Sequence, residues 1–147
     1  MKKILACLDG SPRERGVLDA AIALARSSGA QLTLFRSVGI PRELPKEAYS
    51  MDPEQIPDLL ERQATLALEA LLGTVPPEHR GSTRVIIGTP WQSIERAATE
   101  GDVDLIVIGS HGYQALDRVL GTTAAKVVNH ADRAVLVVRA PERLARA

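Results

Sequence analysis

Five short apolar runs, Ile4–Leu8, Leu32–Val38, Thr83–Ile87, Val103–Ile108 and Ala134–Val138, alternate with segments whose apolar residues recur at helical spacing. No other feature constrains the fold as strongly. The first, Ile4–Leu8, reads as a strand buried on both faces, and the others read as strands beside it. Between the first two, Val17, Leu18, Ala21, Ile22 and Ala25 mark one face of a helix that Ser27-Ser28-Gly29 stops. Leu60, Ala64, Ala67, Leu68 and Leu71 mark a second helix, ended by Gly73 and Pro76-Pro77. Trp91, Ile94 and Ala98 mark a third, with Trp91 expected as a core or helix-packing residue rather than a base-stacking one, and Ala124, Val127, Val128 and Ala131 mark a fourth.

A helix between successive strands supplies the crossover that parallel pairing needs. The pattern therefore predicts an α/β fold: a three-layer doubly wound (Rossmann-like) domain with a five-stranded parallel sheet, one domain over residues 1–147. In such folds ligands sit outside the carboxyl ends of the strands, where strand order reverses. That rule directs attention to Asp9, Val38, Gly88 and the segment from Gly109 onward. Local punctuation adds detail. Ser11-Pro12-Arg13-Glu14 and Thr89-Pro90-Trp91-Gln92 read as capping boxes with Pro at the first helical position. Gly39 to Pro57, with prolines at 41, 45, 53 and 57, reads as a long loop. His130 and Asp132 read as a helix end rather than as metal ligands.

Composition narrows the function. The 147 residues are 45% hydrophobic and 24% charged, an ordinary globular balance, but only 3% aromatic, so Val, Ile, Leu and Ala must build the core. The formal net charge is zero, which leaves no basic excess for a phosphate backbone and argues against nucleic acid as the main partner. Cys7 is the only cysteine, so neither an internal disulfide nor a multi-cysteine metal site can form. Leu5-Ala6-Cys7 has the look of a lipoprotein signal, but only Ile4, Leu5 and Ala6 precede the cysteine, far short of a signal peptide's apolar region. No run is long enough to span a membrane. A cytoplasmic location is the expectation.

The segment richest in chemistry is Gly109-Ser110-His111-Gly112, followed after eight residues by Gly121-Thr122-Thr123. Glycines let backbone approach a ligand closely. Gly121-Thr122-Thr123 opens a helix, where free amides and the helix dipole favour phosphate. Spacing alone leaves two readings open, a phosphate loop or an ordinary βα loop with Thr122 as cap. Other nucleotide loops are missing: there is no Gly-x4-Gly-Lys-Ser/Thr sequence, and the first βα turn lacks Gly-x-Gly-x-x-Gly. Ser110 beside His111 is not a hydrolase dyad, because no Gly-x-Ser-x-Gly elbow presents it.

Gly-x2-Gly-x8-Gly-Thr after an apolar strand resembles the ATP-binding signature of the universal stress protein family, with eight residues where the family commonly has nine. The likeness extends from Val107-Ile108 through Gly121-Thr122-Thr123-Ala124 to His130-Ala131 and Val135–Val138. It includes Asp9-Gly10-Ser11 and Ile87-Gly88-Thr89-Pro90. The resemblance implies a stress-response or signalling protein that binds ATP, with Mg²⁺ or Mn²⁺ bridging phosphate oxygens, and pairs as a homodimer through the last strand. It implies nucleotide contacts from Cys7, Leu8 and Asp9 at the end of the first strand, with Asp9 at the adenine or ribose end. Ser37 and Val38 would meet the base, although this chain has Arg36-Ser37-Val38 where the family often has His-Val. Ile108, Gly109, Ser110, His111, Gly112, Gly121, Thr122 and Thr123 would complete the nucleotide site, with Gly112, Gly121 and Thr122 at the phosphates; His111 reads equally as a phosphate donor or as a solvated loop residue. No catalytic residue is implied, since the sequence positions no general base. Two alternatives stay open: a nucleotide-free dimeric interaction module, and a slow ATPase or autophosphorylating enzyme.

Overall fold

The structure is a computed structural model that describes residues 1–39, 46–110 and 120–139. The order of elements is β1 (Lys3–Cys7), α1 (Glu14–Ser28), β2 (Gln31–Val38), α2 (Ile56–Leu72), β3 (Arg80–Ile87), α3 (Pro90–Glu100), β4 (Leu105–Gly109), α4 (Thr122–His130) and β5 (Ala134–Val138). The five strands form one sheet in the order β3-β2-β1-β4-β5, every pair parallel. This is the doubly wound α/β architecture that the alternation predicts.

β1 is the central strand. Ile4 lies between Leu32 and Leu105, and Ala6 between Leu34 and Val107. Because side chains alternate along a strand, Ile4, Ala6 and Leu8 pack with Val17, Leu18, Ala21 and Ile22 of α1 and Leu68 of α2. Leu5 turns the other way, with Phe35, onto Ile94, Ala97 and Ala98 of α3 and Ala124 and Val127 of α4. Thus α1 and α2 cover one face and α3 and α4 the other. All five apolar positions expected on α1 are buried. Trp91 stacks on His130 with ring centroids 4.8 Å apart, and Lys126 lies over its ring, so it joins α3 to α4 as expected.

Several local expectations need correction. Ser11 does not cap α1 and Pro12 is not its first residue. The Ser11 hydroxyl accepts the Arg13 N–H and its carbonyl accepts the Glu14 N–H, and the helix starts at Glu14. The Glu14 carboxylate, which a capping box would turn back to the Ser11 amide, goes to Arg36 instead. Thr89 is the N-cap of α3 but its side chain makes no cap bond. Within the expected long loop, Lys46–Ser50 and Pro53–Gln55 are 3-10 turns, and α2 starts at Ile56 with Pro57 in its first turn. Proline is tolerated there because the first-turn amides have no intrahelical partner. β3 starts at Arg80, before Thr83. β4 starts at Leu105 rather than Val103, whose amide still donates to the Ala98 carbonyl of α3. Val128 is exposed rather than part of the core.

Candidate functional site

β1 pairs with β2 on one side and β4 on the other, so the connections diverge at the carboxyl end of β1. A cleft of about 170 Å³ opens at this switch point. Its floor is strand ends: Cys7, Leu8, Phe35, Ile108, Gly109 and Val138. Its walls are helix starts, with Arg13, Glu14 and Val17 from α1, Pro90 and Ile94 from α3, and Thr123 from α4. Asp9, Ser37 and Arg139 complete the lining.

The polar groups are held by local bonds. Asp9 is exposed, and its Oδ1 accepts the Ser11 N–H at 2.9 Å, which fixes the carboxylate at the rim. Gly10 turns the chain with a φ of 81°. A Cβ there would also sit 3.5 Å from the Arg36 guanidinium. That guanidinium ties the turn to β2: Nε donates to the Leu8 carbonyl at 3.0 Å, and one terminal nitrogen donates to both Glu14 oxygens at 2.8 and 3.2 Å. Ser37 Oγ donates to the Gly88 carbonyl at 3.1 Å, joining the ends of β2 and β3. Burial pushes the Cys7 thiol pKa far up, so this part of the floor is uncharged. With Glu14 paired to Arg36, the lining also holds the cationic residues Arg13 and Arg139 and the acidic Asp9.

The residues singled out from the sequence divide on this geometry. Cys7, Leu8, Asp9, Ser37, Ile108, Gly109 and Thr123 line the cleft together. Val38 does not, and its carbonyl accepts the Gly88 N–H at 3.0 Å. Ser110 is buried behind the floor: its amide donates to the Val138 carbonyl and its own carbonyl accepts the Gly121 N–H. The Gly121 amide, expected to face phosphate, is therefore engaged within the protein. Thr122 is exposed at the start of α4 but outside the cleft lining. His111 and Gly112 lie outside the described residues. Sequence reasoning missed Arg13, Glu14, Val17, Phe35, Pro90, Ile94, Val138 and Arg139. The position of Arg13 just beyond Asp9-Gly10-Ser11, at a helix start on the carboxyl edge, was the available signal for that residue.

Among the described residues, no group of three or more His, Cys, Asp or Glu side chains is arranged to hold a metal ion. No helix among them is long and apolar enough to cross a membrane.

The parallel sheet and the cleft at its switch point define a doubly wound α/β protein with a binding site at its carboxyl edge. The profile of the universal stress protein family matches residues 1–139. Universal stress protein A homolog 1 of Coxiella burnetii is 32% identical over 139 residues, spanning 93% of this chain and 95% of its own. A universal stress protein of Synechocystis is 32% identical over 149 residues, spanning 93% and 97%. The chain belongs to the universal stress protein family. Its fold matches solved members. The universal stress protein UspA of Lactobacillus plantarum superposes with a TM-score of 0.70 at 26% identity, covering 94% of this chain and 97% of its own. The Archaeoglobus fulgidus universal stress protein in complex with dAMP gives a TM-score of 0.63 at 22% identity, covering 95% and 98%. A universal stress protein in complex with cAMP gives 0.59 at 21%, covering 94% and 96%.

Proposed function

We propose that the protein binds an adenine nucleotide, with ATP as the preferred ligand, in the cleft at the carboxyl ends of β1 and β4, and acts as a nucleotide-dependent binding or signalling protein in the cytoplasm. The observation that carries this reading is the convergence in one cleft of a fixed carboxylate, Asp9, with two guanidinium groups and the first turn of α4. A carboxylate repels phosphate, so Asp9 belongs at the sugar and base end, and the arginines with Thr123 belong at the phosphate end. Ser37 gives its proton to Gly88, which leaves acceptor lone pairs for an amino group. That suits the amino edge of adenine and not the carbonyl edge of guanine. Solved universal stress proteins of the same fold in complex with dAMP and with cAMP lend support. Mg²⁺ or Mn²⁺ would be held through phosphate oxygens. The test is Asp9→Ala. Loss of a hydrogen bond to a charged group costs about 1.5–3 kcal/mol, so ATP and AMP affinity should fall by similar factors of about 10 to 100. Calorimetric titration reads this directly. A loss for ATP with none for AMP would move Asp9 to the terminal phosphates.

Among the described residues β5 pairs with β4 alone, which leaves its other edge without a strand partner there, and its Leu136 is 38% exposed. An apolar open edge is a liability unless it is covered, and a second copy of the chain paired along β5 would cover it. Val137 packs toward the core with Ile106 and Val127, so the position that reports on such a dimer is Leu136. Leu136→Lys is expected to shift a dimer toward monomer by light scattering at micromolar concentration. A monomeric unmodified protein would remove the dimer.

A further inference from the structure

Arg13 is a cation without an evident task in the fold. It lines the cleft, yet among the described residues its guanidinium has no ion-pair partner. Its neighbour Glu14 is engaged elsewhere, both of its oxygens accepting from Arg36. Its backbone is fixed by the bond from its amide to the Ser11 hydroxyl at 3.2 Å. Its placement follows from the helix. Arg13 lies four residues before Val17, hence on the same face of α1 and one turn nearer the carboxyl edge of the sheet. A Val17 methyl lies 3.3 Å from where a Cβ on Gly109 would be. Arg13 therefore stands over the end of β4, opposite Thr123 at the start of α4. We infer that Arg13 is a specificity-determining residue that pairs with the phosphate groups of the nucleotide and sets the preference for phosphorylated ligands over the free nucleoside. The inference rests on the nucleotide reading above and deepens it. Guanidinium matches phosphate by paired N–H donors, which an ammonium at the same place cannot reproduce.

The experiment is calorimetric titration of adenosine, AMP, ADP and ATP into the unmodified protein, Arg13→Gln and Arg13→Lys, with circular dichroism to establish the fold. Arg13→Gln should lose about 10-fold or more in affinity for ATP and ADP, while adenosine affinity stays within about 2-fold. Arg13→Lys should recover part of the loss. The deficit of Arg13→Gln should shrink as salt is raised, because a charge contact is screened. Equal losses for adenosine and ATP, or no loss for ATP, would overturn the role of Arg13 while leaving the nucleotide site standing. An unmodified protein that binds none of the four ligands would overturn both.

Discussion

Replacing Arg36 with Met is expected to lower the melting temperature by about 10 °C. Arg36 and Glu14 are only 15% and 14% exposed, and Glu14 is held by two charged hydrogen bonds. Removing one partner of a buried pair leaves the other charge without compensation, at a cost of about 3–5 kcal/mol. The lower end applies because both side chains keep some contact with solvent. For a chain of this length about 3 kcal/mol corresponds to a shift of roughly 10 °C. The Leu8 carbonyl also loses its donor. Adding Glu14→Gln to Arg36→Met should recover part of the loss, because an amide is less costly than a lone carboxylate to hold there. Thermal denaturation followed by circular dichroism is the measurement. A drop below about 2 °C would mean the pair contributes no more than an exposed one.

Gly81→Val is expected to cost about 3 kcal/mol or more, for a different reason. At Gly81 the strands β2 and β3 come unusually close: an added Cβ would overlap the Leu32 carbonyl oxygen and lie 3.1 Å from its carbon. The obstacle is backbone of a paired strand, so it cannot swing aside as a side chain can. The register between β2 and β3 shifts between Leu32 and Leu34, beside this approach. Because the first added carbon already makes the overlap, Gly81→Ala should lose nearly as much stability as Gly81→Val. Chemical denaturation compares the two. Gly81→Ala as stable as the unmodified protein would show that the strands separate there at no cost.

The alternation of apolar runs with helical faces is a property of the sequence, and the layered sheet follows from it, although the edge strands β3 and β5 bury no residue fully. That is why the five strands and the buried face of α1 were legible in advance. Asp9 and Gly109 were legible because the carboxyl edge of a doubly wound sheet is where ligands bind. What could not be read were choices made by tertiary partners. Glu14 has the spacing of a capping residue, but Arg36 arrives from β2 and takes it. Gly121 opens a helix, but the Ser110 carbonyl takes its amide. Thr122 and Thr123 are equivalent in sequence, and only the rotation of α4 decides that Thr123 lines the cleft. Gly81 carries no signal of its own, since its close neighbour is 49 positions earlier in the chain.

Nucleotide binding by the switch-point cleft is tested most directly by calorimetric titration of ATP, with Mg²⁺ present, into the unmodified folded protein. Saturable binding of one ATP per chain is expected, weakened by Asp9→Ala at the sugar end. A folded protein that takes up no ATP, ADP or AMP at millimolar concentration would contradict it, and would leave the cleft as part of a nucleotide-free interaction module.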